Sequence, residues 1–324
     1  MHFSNKLHSI PYLTLILSLL MITIIYLTGN LNKITPQTFM RSGFLENEDR
    51  SKTKVKKLPG LLIVGVQKCG TQAVASFLAF HPNLTRAGNF EIHFFDQIHP
   101  EKPKSIEDYL KLLPETSEWE IAFEKTPAYF GLADPMYIHN MLPNVKILIQ
   151  MCDPVERSMS AFIHNQHTEH SIRHIPRDAT FESVILDKTG NVNISHEILQ
   201  RGIYIRYLRD YLKHFSMNQI LIIETQNLKS RPAETLKKVE EFLKIPPFFT
   251  EDQFYINPKT NTSCVHIEHL GTERMSPKEC LAGNKHRVHP AMNQDTRRKL
   301  EDFFAPYNKE LSIVADMNFS WIIK

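Results

Sequence analysis

Lys68 lies in the segment Gly65-Val66-Gln67-Lys68-Cys69-Gly70-Thr71, directly after the apolar run Leu61–Val66. A strand that runs through a glycine-bearing turn into a helix offers backbone N–H groups and the positive end of the helix dipole to an anion. Gly70 permits close approach, Lys68 adds a point charge and Thr71 a hydroxyl donor. The Gly-Lys-Ser/Thr ending of a nucleotide-triphosphate loop is absent, so by itself the segment fits a phosphate cradle or a plain turn. A second group is Phe90-Glu91-Ile92-His93-Phe94-Phe95-Asp96. If this stretch is extended, alternation sets Glu91 and His93 on one side, a carboxylate and an imidazole able to share a proton path. A third is Phe123-Glu124-Lys125-Thr126-Pro127-Ala128-Tyr129-Phe130, which reads as a strand end carrying Lys125. Alone, each of these two also fits a half-buried strand or loop with a surface charge.

The elements that must position these residues alternate in type. Leu61–Val66, Val145–Met151 and Gln219–Glu224 are short apolar runs of the kind buried on both faces of a sheet. The first leads to a helix with Ala73, Val74, Phe77 and Leu78 on one stripe, stopped by His81-Pro82. After the second, Cys152-Asp153-Pro154 opens a helix through about Ile163. The third precedes a helix with Pro232 in its first turn and Leu236, Val239, Phe242 and Leu243 inward. Strand–helix alternation predicts an α/β fold, with a mostly parallel central sheet flanked by helices and right-handed crossovers. Ligands of such sheets bind beyond the carboxyl ends of the strands, where the chemical segments lie.

Composition narrows the function classes. Of 324 residues, 38 are Lys or Arg and 35 Asp or Glu, giving +3, with 42% hydrophobic and 23% charged. That is enough apolar residue for a large core, and it excludes a disordered tail, a fibre or a multi-span membrane protein. The near-neutral balance argues against a nucleic-acid partner. Ile10 to Thr28 carries no charge and approaches the ~20 residues a bilayer core requires. It is longer than a cleaved leader's apolar region and ends in a poor cleavage site. A single N-terminal transmembrane helix over 10–28 is therefore expected, with a cytosolic tail at 1–9 and a solvated stem at 29–57. Asn-x-Ser/Thr triplets at Asn83, Asn193, Asn261 and Asn318 are possible glycan sites. His164, His167, His170 and His174 lack zinc-site spacing and read as a polar loop, and no metal is expected.

Taken together, the segments resemble those of the Golgi heparan sulfate sulfotransferases, most closely the glucosaminyl 3-O-sulfotransferases. Gly65–Thr71 is similar to that family's loop for the 5′-phosphosulfate of 3′-phosphoadenosine-5′-phosphosulfate. Glu91–Asp96 and Glu124–Phe130 are similar to its catalytic and acceptor-binding blocks. Asp153-Pro154-Val155-Glu156-Arg157 with Ser160 resembles the block that reaches the nucleotide's 3′-phosphate. Cys264, Cys280-Leu281 and Lys285-His286-Arg287-Val288-His289-Pro290 resemble its C-terminal disulfide and closing loop. The resemblance covers roughly residues 58–324 and implies one sulfotransferase domain there, Golgi residence with the catalytic part in the lumen, and heparan sulfate as partner. It also implies direct in-line sulfuryl transfer without a metal. Glu91 would then be the base, with His93 and Asp96 holding base and acceptor. Lys68 would meet the charge on the leaving phosphate, with Gly70 and Thr71 completing its loop. Lys125 would contact the acidic saccharide or the sulfuryl group, and Ser160, Lys285 and Arg287 the 3′-phosphate.

The chain also departs from that pattern. Cys152 stands where the 3-O-sulfotransferases usually carry an arginine, which could grip a phosphate bidentately as a thiol cannot. Cys69 replaces a frequent glycine or threonine, and Gln67 a frequent arginine. The last change is closer to the N-sulfotransferases, leaving another glycan sulfotransferase or a non-catalytic glycan-binding relative as alternatives. Cys69 and Cys152 are expected to be unpaired thiols. Cys264 and Cys280, the pair implied by the resemblance, would close a loop of ~15 residues worth ~3 kcal/mol in the chain-entropy account.

Overall fold

The computed structural model describes residues 53–96, 105–168, 174–258, 262–266, 278–280 and 290–322. The tail at 1–9, the apolar run at 10–28 and most of the stem lie outside these residues, as do Asn261, Lys285 and Arg287. Among the described residues no helix is long and apolar enough to cross a membrane. The chain divides into the units Met1–Thr53 and Lys54–Lys324, and every element below belongs to the second.

The strands are β1 (Val55–Lys56), β2 (Leu61–Gly65), β3 (Leu84–Arg86), β4 (Glu115–Thr116), β5 (Ile121–Lys125), β6 (Lys146–Met151), β7 (Ile220–Glu224), β8 (Phe254–Asn257), β9 (Thr262–His266) and β10 (Lys278–Cys280). Five of them form one sheet in the order β3-β5-β2-β6-β7. Every pairing in it is parallel. The expected central parallel sheet is therefore present, with β2, β6 and β7 within a residue or so of the apolar runs that announce them. Outside it, β8, β9 and β10 form a small antiparallel sheet, and β1 pairs with β4. Val55–Lys56, assigned above to the stem, is thus tied to Glu115–Thr116.

The helices are α1 (Thr71–Leu78), α2 (Ile106–Leu112), α3 (Tyr129–Leu132), α4 (Pro135–Met141), α5 (Pro154–Gln166), α6 (Phe181–Ile185), α7 (Glu197–Gln200), α8 (Tyr204–Leu212), α9 (Thr225–Ser230), α10 (Pro232–Leu243) and α11 (Gln294–Ala315). Alternation along β2 sorts the core into two layers. Leu61 and Ile63 pack with Val74, Phe77 and Leu78 of α1 and Leu236 and Val239 of α10. Leu62 and Val64 face the layer of Tyr109, Tyr129, Tyr204 and Phe304. Side chains buried on both faces explain why β2 reads as a continuous apolar run, and they fix its register, because a one-residue slip would exchange the layers.

All five parallel strands end at the same edge. Gly65, Arg86, Lys125, Met151 and Glu224 are their last residues, and the chain beyond four of them carries the segments singled out above. Asp153 caps α5 by accepting from the Val155 N–H at 2.9 Å, with Pro154 inside the first turn. That cap turns the chain sharply back over the sheet after β6.

Candidate active site

The loop between β2 and α1 has the backbone an anion cradle requires. Lys68 and Gly70 take positive φ values of 77° and 80°. For Lys68 that conformation costs about 1 kcal/mol or more. Gly65 must be glycine for another reason, since a Cβ there would lie 2.4 Å from Cβ of Phe130. Helix α1 starts at Thr71 with no side-chain cap and no acidic residue in its first turn. Its N-terminal potential is therefore uncompensated by any carboxylate of that turn, a setting suited to a phosphate. The carbonyl of Cys69 accepts from Gln150 Nε2 at 2.8 Å and from Thr225 Oγ1 at 2.6 Å, which pins the loop to β6 and α9.

Cys69 and Cys152 are not unpaired thiols. They form a disulfide with a Cα–Cα distance of 5.3 Å. Their strands, β2 and β6, are sheet neighbours, so the loops after them emerge side by side. The two departures from the family pattern thus answer each other: in place of an arginine, position 152 carries a covalent tie to the loop between β2 and α1. Tyr204 lies over this link, with its hydroxyl donating to the Cys152 carbonyl at 3.1 Å and standing 3.6 Å from Cys69 Sγ. Cys264, for its part, is disulfide-bonded, and its backbone lies in register with that of Cys280.

The sequence separation of Cys69 and Cys152 is 83 residues. For a loop of this size the chain-entropy account gives about 4–5 kcal/mol of stabilisation. Cys152→Ser is therefore expected to lower the free energy of denaturant unfolding by that order under oxidising conditions. Cys152→Arg should lose the same amount rather than gain a phosphate contact. A denaturation midpoint equal to that of the unaltered protein would contradict both.

The Glu91 segment is not extended. His93 has φ of 58°, a left-handed residue in a loop, and this turn rather than strand alternation brings the polar groups together. His93 Nε2 lies 3.5 Å from Glu91 Oε2, and His93 Nδ1 lies 2.5 Å from Asp96 Oδ2. Lys125 Nζ, at the end of β5, donates to Glu91 Oε1 at 2.7 Å. Asp96 and Lys125 are buried, whereas the Glu91 side chain keeps 36% of its surface exposed.

Burial works against both charges here, but the partners win. Desolvation would raise the Glu91 carboxyl, yet the His93 hydrogen bond and Lys125 hold it down at about 2. Desolvation would lower His93, yet Asp96 and Glu91 raise it to about 9. At neutral pH the site therefore holds a carboxylate against an imidazolium. What His93 adds to stability is full below its ordinary 6.5 and is lost as pH rises through about 9. The Glu91 share is full above 4.5 and is lost as pH falls through about 2.

The two clusters share the sheet edge, on neighbouring strands. Ile63 of β2 is in register with Lys125, and the Thr126 N–H donates to the Ile63 carbonyl at 3.1 Å. Arg86 Nη2 donates to Gln72 Oε1 at 3.1 Å, which ties the end of β3 to α1. Beside them lies a small cleft lined by Gln67, Pro127, Phe130, Arg157, Arg201 and Tyr207. Arg157 is buried, with Nε donating to the Gln67 carbonyl at 3.3 Å and Nη1 to the Ile198 carbonyl at 2.5 Å. Arg201 Nη1 donates to Gln67 Oε1 at 2.8 Å, a contact that an arginine at 67 could not accept.

Ser160 is half-buried on α5. Lys285 and Arg287 fall outside the described residues, so Ser160 cannot be set against them. Of the glycan triplets, Asn318 is exposed and Asn83 and Asn193 are half-buried. His164 and His167 sit at the end of α5, where His167 Nδ1 contacts the Ile163 carbonyl at 2.8 Å, and His174 is exposed. The residue that sequence reasoning passed over is Glu124. It was visible as a charge flanked by Tyr109, Thr126 and Tyr129 only once the fold had gathered them.

Comparison with known proteins accords with this arrangement. A sulfotransferase domain matches residues 58–313. Heparan sulfate glucosamine 3-O-sulfotransferase 3A1 of Mus musculus is 32% identical over 269 residues, 82% of this chain and 65% of that protein. Heparan sulfate glucosamine 3-O-sulfotransferase 5 of Mus musculus is 32% identical over 269 residues, 82% of this chain and 75% of that protein. The chain thus spans 65% of the length of the first of these relatives. A crystal structure of a sulfotransferase from Alicyclobacillus acidocaldarius superposes with a TM-score of 0.61 at 20% identity, covering 83% of this chain and all of that one, a likeness of fold. With a sulfotransferase domain over most of its length and relatives at this identity, the chain belongs to the sulfotransferase family, in the group of the heparan sulfate glucosamine 3-O-sulfotransferases.

Proposed function

We propose that this protein transfers a sulfuryl group from 3′-phosphoadenosine-5′-phosphosulfate to the 3-hydroxyl of glucosamine units in heparan sulfate. The observation that carries the reading is one sheet edge bearing both an uncapped, carboxylate-free helix N-terminus behind Lys68 and the ionised group Glu91–His93–Lys125. The left-handed backbone at Lys68 and Gly70 suits a phosphate loop, so the residues present fit the nucleotide. Bound there, the donor supplies the sulfuryl group and a phosphate leaving group.

The protein's own residues divide the work. Glu91 accepts the proton of the acceptor hydroxyl, while His93 and Asp96 hold its orientation. At about 2 the carboxyl is a weak base in the resting protein, because Lys125 and His93 both lean on it. An acidic saccharide that draws Lys125 towards itself raises the basicity of Glu91, which couples acceptor binding to proton removal. Lys68 places positive charge where the leaving phosphate oxygen gains negative charge, the kind of preorganised contact that lowers a barrier most. Gly70 and Thr71 complete the cradle, and Ser160, Lys285 and Arg287 are assigned to the 3′-phosphate. No metal takes part in this reading.

The same reading puts residues 10–28 across the Golgi membrane, with the sulfotransferase domain in the lumen and the asparagine triplets open to glycosylation. The Cys69–Cys152 disulfide supports an oxidising compartment. The test is to incubate the purified protein with donor carrying radiolabelled sulfate and with heparan sulfate. Label is expected in the polysaccharide. Tight binding of adenosine 3′,5′-bisphosphate without any transfer would instead identify a non-catalytic relative.

A further inference from the structure

Behind the proposed base lies a buried carboxylate that the mechanism does not use. Glu124 is on β5, one residue before Lys125, so its side chain points to the other face of the sheet and is 1% exposed. Three hydroxyls surround it. Tyr109 donates to Oε1 at 2.6 Å, Thr126 Oγ1 to Oε2 at 3.0 Å, and Tyr129 to Oε1 at 3.2 Å. Two of these hydroxyls also accept a backbone N–H. Ile92 N donates to Thr126 Oγ1 at 3.1 Å, and Phe94 N donates to the Tyr129 hydroxyl at 2.9 Å. Ile92 and Phe94 flank His93, the left-handed residue whose ring joins Glu91 to Asp96.

A hydroxyl has one proton to give. When that proton points at a carboxylate, only lone pairs remain for other partners. Glu124 therefore orients Thr126 and Tyr129 so that their lone pairs meet the two amides beside His93. We infer that Glu124 is a positioning residue for the proposed base: through Thr126 and Tyr129 it holds the backbone on both sides of His93 and so fixes the Glu91–His93–Asp96 geometry. Burial pushes the Glu124 carboxyl up to about 7, and the hydroxyls of Tyr109, Thr126 and Tyr129 oppose that rise. The stacked rings of Phe94 and Tyr109, 4.4 Å apart, keep the same loop against this network.

The inference rests on Glu91 being the base, and one set of variants separates the two ideas. Glu124→Gln, Tyr129→Phe, Thr126→Val, Thr126→Ser and Glu91→Gln are compared for kcat of sulfate transfer and for affinity towards adenosine 3′,5′-bisphosphate. A misplacement of about 1 Å at a reacting group can cost about 10²-fold in rate, so Glu124→Gln is expected to lose that order in kcat. Tyr129→Phe and Thr126→Val should each lose part of it, Thr126→Ser should restore the Thr126 share, and nucleotide affinity should be unchanged throughout. A role confined to folding would not distinguish serine from valine at 126 while sparing nucleotide binding. If Glu124→Gln does not fold, the valine and phenylalanine variants, which keep the carboxylate, decide the matter. Full kcat in these variants alongside an inactive Glu91→Gln would overturn the positioning role and leave the base in place. Full kcat in Glu91→Gln would overturn the base itself.

Discussion

Glu91→Gln is expected to lower kcat by about 10²–10⁴-fold while leaving affinity for adenosine 3′,5′-bisphosphate unchanged. Glutamine keeps the size of the side chain and can still accept from Lys125, which lies 2.7 Å from Oε1. What it cannot do is take the proton of the acceptor hydroxyl. The variant also removes one of the two carboxylates that raise His93 to about 9, so the imidazole should lose its proton at lower pH than in the unaltered protein. Near-full turnover with unchanged nucleotide binding would show that the proton leaves by another route.

Lys68→Ala should be nearly as damaging, for a different reason. The charge on the leaving phosphate oxygen grows as the sulfuryl group departs, so an ammonium aimed at it stabilises the transition state more than the ground state. Removing one such preorganised contact elsewhere costs about 10²–10³-fold in rate. Lys68→Arg is expected to recover little, because a planar fork does not fill the place of a point charge. The backbone adds a second reason: at φ of 77° the Lys68 side chain leaves the loop in a direction fixed by the left-handed turn. Weaker nucleotide binding with intact turnover would make Lys68 a binding residue only.

The large features of this fold are legible in the sequence because they rest on continuous apolar runs. Leu61–Gly65, Lys146–Met151 and Ile220–Glu224 are buried on nearly every residue, and continuous burial leaves a continuous signal. The flanking strand β3 is only Leu84–Arg86, with two half-buried polar residues, and offers no such pattern. The site residues Lys68, Glu91, His93 and Lys125 were legible by type and grouping, but the geometry uniting Glu91 with His93 was not. A left-handed residue at His93 achieves by a turn what alternation along a strand was expected to achieve, and histidine carries no glycine-like mark of it. Cys69 and Cys152 were legible as departures but not as partners. Their pairing depends on β2 and β6 being neighbours in the sheet, although 80 or so positions separate them in the chain (83 by residue number). Glu124 was hidden for a related reason: a buried carboxylate and a surface one look alike until the hydroxyls of Tyr109 and Tyr129 are gathered around it.

The position of the transferred sulfate tests the account most directly. Heparan sulfate labelled by the purified protein would be digested to disaccharides and the labelled products separated. The proposed function predicts label on the 3-oxygen of glucosamine, abolished by Glu91→Gln. Label on the glucosamine nitrogen, or on another hydroxyl, would contradict the acceptor assigned here.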